Sequence, residues 1–188
     1  MACGPSREKA FGCGDGSGAF REVPRDAVAL RRCERSERSD RYGGLSYDVS
    51  FCGRATGYVD LIPWSMADLS AVDPSAARKL FKFGFGEGKV AEIWQFFPLH
   101  RAMELRRKGV GSAVLIRLMG ELEREGFEGT FVLKPFTKRM RKLAERNGFL
   151  SAQFERDDCT RDTIMCRRFE SARSPTPLGP LCLATERR

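Results

Sequence analysis

Apolar residues return at helical spacing from Val110 onward. Val110, Ala113, Val114, Leu118 and Leu122 form one stripe, Leu115 and Met119 widen it, and Gly126 closes it. The pattern predicts a long amphipathic helix. A second helix follows at Lys138–Asn147, with Met140, Leu143 and Ala144 inward and Gly148 as its stop. Around these helices lie short runs suited to strands: Thr130–Phe136, Phe149–Phe154 and Thr163–Phe169. Upstream, Leu45–Arg54 and Thr56–Ile62 are two β-type runs joined around Gly53, which predicts a hairpin ended by Pro63. Pro74–Lys82 is suited to a helix, and Val90–Leu99 is an apolar run of the kind found in a buried strand. Before the hairpin, Ala27, Leu30 and Glu34 follow helical spacing, so that stretch is expected to hold a short strand and a helix. Strand, helix, strand, helix and further strands imply an α/β (α+β) layer, with a mixed central sheet of about six to seven strands flanked by helices.

Composition bounds this picture. With 188 residues, 41% of them hydrophobic, the chain has room for one cored domain with loose ends. Residues 1–40 are rich in Gly, Arg and Ser and are expected to be largely disordered or weakly structured. The domain is placed at 41–170, and 171–188, with three prolines and no periodicity, is a flexible tail. No run approaches the roughly 20 apolar residues that span a bilayer. The start lacks the apolar stretch of a secretory signal, and Glu8, Asp15 and Glu22 argue against a transit peptide. The expectation is a cytoplasmic protein. The seven cysteines form no C-x-x-C pair, and His100 is the only histidine, so no metal site is expected and reduced thiols are. A formal charge of +8 points to an anionic partner: nucleic acid, an acidic protein or a phosphorylated cofactor.

Two glycine-containing segments compete for that anion. Gly84-x-Gly86-x-Gly88 lacks the Lys-Ser/Thr of a P-loop and a strand feeding a helix, which favours a loop or hairpin. The second segment, Arg106-Arg107-Lys108-Gly109-Val110-Gly111-Ser112, lies between the Val90–Leu99 run and the long helix. Gly109 and Gly111 remove side chains so that backbone N–H groups can close on a phosphate. The free N–H groups and dipole of the new helix favour negative charge there, and Arg106, Arg107 and Lys108 stand ready to neutralise a pyrophosphate or ribose phosphate.

This segment resembles the Gln/Arg-x-x-Gly-x-Gly/Ala of the GNAT acetyltransferases, which lies between their fourth strand and third helix. Glu145-Arg146-Asn147-Gly148-Phe149 is similar to the Gly-Phe that ends their next helix, and the likeness extends over roughly Leu45 to Phe169. The resemblance implies acetyl-CoA as co-substrate, an amine acceptor, and direct attack of the amine on the thioester. It places the cofactor at Arg106–Ser112. It implies Glu92, within Ala91-Glu92-Ile93, as the general base, because histone-acetylating members carry a similar glutamate; His100 and Glu104 stand in reserve. A backbone N–H of Phe97 or Leu99 would face the developing oxyanion, since Pro98 has none to give. Thr137 occupies the position of an asparagine that helps to hold the cofactor. Where the family often has a tyrosine to protonate the leaving thiolate, this chain has Ala144, and its tyrosines, Tyr42, Tyr47 and Tyr58, lie far upstream.

Two other functions fit the same sequence. One is a catalytically weak module that holds CoA or acyl-CoA; the other is a basic nucleic-acid-associated protein, possible but not favoured. Trp94, Phe96 and Phe97 could stack on bases, but in a buried strand they are expected to pack in the core. The basic run Thr137–Lys142 would flank the cofactor and could meet its adenosine 3′-phosphate, but a solvated helix face is favoured for most of it.

Overall fold

The computed structural model describes Val23 and residues 27–33, 43–97, 109–135, 137–156 and 159–170. Within them the chain runs β1 (Val28–Cys33), β2 (Leu45–Phe51), β3 (Arg54–Ser65), α1 (Met66–Val72), α2 (Pro74–Lys82), β4 (Lys89–Phe97), α3 (Val110–Arg124), β5 (Phe127–Leu133), α4 (Lys138–Arg146), β6 (Leu150–Glu155) and β7 (Arg161–Arg168). The seven strands make one mixed sheet in the order β1-β2-β3-β4-β5-β7-β6. All pairs are antiparallel except β4 with β5. The expected fold class is the one observed.

Each face of the sheet has its own apolar cluster. On one face Val110, Val114, Leu115, Leu118 and Leu122 of α3, with Met140 and Ala144 of α4, pack on Val49, Leu61, Ala91, Ile93 and Val132. On the other, Met66 and Leu69 of α1 and Ala77 and Leu80 of α2 pack on Val90, Phe131 and Ile164. Burying side chains of this size stabilises by about 1.5–3 kcal/mol each. The helical stripe read from the sequence is thus the buried face of α3.

Local chemistry sets several element ends. The β2–β3 turn is Cys52-Gly53, with φ of 47° and 75°, the two positive values that a tight hairpin turn requires. Ser65 caps α1, its hydroxyl accepting from Asp68 N at 3.0 Å and donating to Asp68 Oδ2 at 2.6 Å. Asp73 caps α2 and Pro74 opens it, so one residue joins the two helices.

Two expectations are corrected here. Pro63 does not end its run, for β3 continues to Ser65 and Pro63 pairs with Ala91. The β2 partner stops at Leu45↔Leu61, so at Pro63 the strand has β4 on one side only, the edge situation in which a missing N–H costs little. The helix expected from Ala27, Leu30 and Glu34 is not formed at 28–33; that stretch is strand β1, with Val28 in the core and Leu30 against it. Six cross-strand pairs with β2 outweigh a weak local preference. The sheet therefore begins inside the segment expected to be weakly structured.

Candidate active site

The two parallel strands at the centre of the sheet part company. β4 and β5 pair from Lys89↔Phe127 to Glu92↔Phe131, and pairing stops there although β4 runs on to Phe97 and β5 to Leu133. Thr130 Oγ1 donates to Ala91 O at 2.8 Å beside the last rungs. Beyond that point, among the described residues, β4 keeps only β3 as a neighbour, and β5 keeps only β7. The register with β3 also shifts between Asp60 and Leu61, leaving Trp94 as the extra residue of a bulge. A gap at the carboxyl ends of parallel strands is where α/β sheets receive ligands.

At that end the described residues resume at Gly109. Its φ of 78° is left-handed, a conformation that other residues adopt only under strain, and among the described residues a Cβ here would meet only Val23 Cγ2, at 3.7 Å. The first intrahelical bond of α3 runs from Ala113 N to Gly109 O at 3.1 Å. The N–H groups of Val110, Gly111 and Ser112 therefore have no acceptor within the helix, and no side chain among the described residues caps it. This suits an anion of the size of a phosphate.

The expected site residues divide accordingly. Val110 sends its side chain into the core, so only its backbone can meet a ligand. Ser112 Oγ accepts from Asn147 Nδ2 at 3.2 Å, which ties the first turn of α3 to the end of α4; Asn147 also donates to Leu143 O at 2.7 Å. A Cβ on Gly111 would sit 3.5 Å from Leu143 Cδ2, an ordinary contact. Thr137 caps α4, its hydroxyl oxygen accepting from Met140 N at 3.1 Å. Leu99, His100, Glu104, Arg106, Arg107 and Lys108 lie outside the described residues. Lys138, Arg139, Arg141 and Lys142 are exposed, the solvated face expected of them.

Glu92 sits at the last rung of the β4–β5 pairing and is 5% exposed. Its Oε2 accepts from Trp64 Nε1 at 2.9 Å. Burial pushes its carboxyl above the ordinary range; the Trp64 N–H opposes that rise, Asp73 adds to it and Arg156 subtracts from it. Arg156 in turn pairs with Asp73 at 3.0 Å and with Asp162. A buried carboxyl of raised proton affinity beside a ligand gap has the character of a general base.

Past the bulge, Phe97 and Tyr58 face each other across β4 and β3, with ring centroids 5.2 Å apart. Both are 39% exposed and Trp94 is 44% exposed, while Phe96 alone of the three aromatics packs against the core. The expectation of core packing for Trp94 and Phe97 is therefore corrected: the bulge and the loss of the β5 neighbour bring them to the surface. Ala144 is fully buried under α3, so no hydroxyl takes the family's tyrosine position. Among the tyrosines dismissed as distant, Tyr58 lies at this end of β4, whereas Tyr47 donates to Glu125 at 3.1 Å beyond the C-terminal end of α3. Sequence reasoning missed Trp64 and Tyr58 because only the β3–β4 register brings them beside β4.

The fold is that of the GNAT acetyltransferases. It is shared with a GNAT family acetyltransferase from Elizabethkingia anophelis with acetyl-CoA bound, at a TM-score of 0.50 and 11% identity over 77% of this chain and 99% of that one. Arabidopsis thaliana NAA60 in complex with acetyl-CoA gives a TM-score of 0.48 at 11% identity, covering 76% and 98%. An IAA acetyltransferase from Bacillus cereus gives 0.46 at 15%, covering 76% and 99%. No family model and no curated protein matches the chain. Among the described residues there is no group of His, Cys, Asp and Glu that could hold a metal ion, and no helix is long and apolar enough to cross a membrane.

Proposed function

We propose that this protein is an N-acetyltransferase that moves the acetyl group of acetyl-CoA to the nitrogen of a primary amine by direct attack. The observation that carries it is the parting of β4 and β5 after Glu92, at the same end of the sheet as a helix opened by left-handed Gly109. Acetyl-CoA supplies the activated acetyl thioester. The N–H groups of Val110, Gly111 and Ser112, with Arg106, Arg107 and Lys108, would hold its diphosphate, and Thr137 would flank it. Glu92 would take the proton that makes an ammonium nucleophilic, and a backbone N–H of Phe97 or Leu99 would meet the charge growing on the carbonyl oxygen. A thiol of pKa about 8.5 leaves tolerably without a dedicated acid, which suits a site with Ala144.

The acceptor is an amine on a small molecule or a protein. The exposed Tyr58–Phe97 pair gives an apolar body a place to rest, and Asp60 lies one strand position from the bulge. A cytoplasmic location is proposed with it: Cys33, Cys52, Cys159 and Cys166 are free thiols, as a reducing compartment leaves them.

A second function, a module that holds CoA or acyl-CoA without fast turnover, is favoured by Ala144. Thermal unfolding with and without acetyl-CoA tests what both share. Saturation at a hundredfold the Kd stabilises by about 2.7 kcal/mol, a rise of roughly 5–10 °C for a chain of this size. No rise at saturating acetyl-CoA removes both functions. A rise without thiol release over a panel of amines and peptides leaves the binding module.

A further inference from the structure

The acyl-transfer proposal gives Glu92 a proton to take but says nothing of what aims it. A glutamate carboxylate on a strand can turn about three side-chain bonds, and a buried one with no fixed partner would be free to bond inward and present neither oxygen to a substrate. Here one oxygen is held. Trp64 lies on β3, two pairs along the ladder from Glu92 and so on the same face: Ile62 stands opposite Glu92 and Trp64 opposite Val90. The register places the indole on the face of the sheet that carries Val90 and Phe131, and its N–H reaches Glu92 Oε2 at 2.9 Å. The indole is half-buried and packs against that apolar cluster, to which α1 and α2 also contribute, and this packing holds it in place.

We propose that Trp64 is the positioning residue for Glu92, holding Oε2 so that Oε1 takes the proton from the acceptor ammonium. This rests on the acyl-transfer proposal. In the step one N–H bond of the ammonium breaks and one O–H bond forms at Oε1; the lone pair left on nitrogen becomes the nucleophile and the carboxylate becomes a neutral acid. An indole N–H suits the task. It can only donate, so it favours the ionised carboxylate and never competes for the proton. It also cannot titrate, which leaves the affinity of Glu92 to its surroundings.

Those surroundings are mixed in sign. Burial and Asp73, at the α1–α2 junction, push the Glu92 carboxyl up; Trp64 and Arg156, at the end of β6, pull it down. Arg156 is shared with Asp73 and with Asp162 of β7, and Asp162 also meets Lys134 beyond β5 at 3.3 Å. Trp64 is thus the one uncharged group in the set, and its loss should move the midpoint without disturbing the ion pairs.

The chain has two tryptophans, Trp64 and Trp94, so an indole-labelled sample gives two N–H resonances, assigned by Trp94→Phe. The Trp64 resonance should follow pH with a single midpoint above the ordinary glutamate range, and Glu92→Gln should abolish the dependence. In Trp64→Phe the Glu92 midpoint, read from its labelled carboxyl carbon, should rise by about one unit, the equivalent of one hydrogen bond to a charged group. The acid limb of kcat for thiol release from acetyl-CoA, with an amine from a panel of primary amines and short peptides, should move up by the same amount. KM for acetyl-CoA should stay unchanged. Trp64→His, which keeps a ring N–H, should recover part of the shift, and it stands in if the phenylalanine variant does not fold. On a Glu92→Gln background Trp64→Phe should change kcat no further. A Trp64 resonance that ignores pH while the Glu92 carboxyl titrates overturns the pairing. An acid limb unmoved in Trp64→Phe overturns the positioning role. Thiol release absent with every amine overturns the catalytic part together with the acyl-transfer proposal, and is told apart because the indole titration needs no acceptor.

Discussion

Two glycine-bearing turns in this chain expose backbone N–H groups, and among the described residues they end in opposite states. The turn at Gly84–Gly88 is filled by the protein itself. Gly86 N donates to Glu128 Oε2 at 2.7 Å and Gly88 N donates to Glu128 Oε1 at 3.0 Å, so one carboxylate of β5 occupies the cradle. The turn at Gly109 opens α3 at the parted end of β4 and β5, and no side chain among the described residues caps it. The difference teaches that glycines and N–H groups make an anion site only where the chain supplies no anion of its own. One turn is a latch between β4 and β5. The other is the place proposed for a diphosphate.

Substitutions can break or sharpen that contrast. The largest effect is expected from Gly109→Glu, which should abolish the thermal shift given by acetyl-CoA, because a left-handed position and an added negative charge both oppose the site. The same shift should survive Gly88→Ala, which instead weakens the fold: a Cβ there would lie 2.4 Å from Glu128 Oε1 and displace the latch. Glu128→Gln should lower stability by about 2 kcal/mol in denaturant unfolding, as expected for losing a charged acceptor of two N–H groups, and leave acetyl-CoA affinity unchanged. If Glu128→Gln weakens binding instead, the two turns are not independent.

Glu92 gives a pH test of the site. Its folded-state proton affinity is raised, so in the window between the unfolded and folded midpoints the native protein binds the proton more readily than the unfolded chain, and stability falls as pH rises through that window. Glu92→Gln should therefore melt higher than the parent at neutral pH and converge with it below the ordinary glutamate midpoint, while losing turnover and keeping acetyl-CoA affinity. Thr137→Ala should cost about 1 kcal/mol through its lost cap. A much larger loss of acetyl-CoA affinity in that variant would give Thr137 a role at the cofactor beyond capping α4.

Much of this architecture was legible in the pattern of residues. The stripe of α3, the inward Met140 and Ala144, and the hairpin at Gly53 follow from local periodicity and turn chemistry, which the fold preserves. The α1 helix was missed, although Ser65 and Asp68 carry the spacing of a cap before an amphipathic run. Strand β1 was misjudged because eleven residues separate it from its partner β2, and the stability of a strand is decided by pairing. The candidate site was half legible. Gly109 and Glu92 stand out in the sequence, but the splay that joins them to one end of the sheet, the bulge at Trp94 and the reach of Trp64 to Glu92 belong to register. No local pattern records which rung faces which.

Titration calorimetry of acetyl-CoA into the parent and into Gly109→Glu bears most directly on the central claim, that the glycine-opened end of α3 beside the parted strands grips a diphosphate. The account predicts saturable binding of one acetyl-CoA per chain, with the heat lost in the variant. Binding of equal strength in both proteins, or none in the parent, would contradict it.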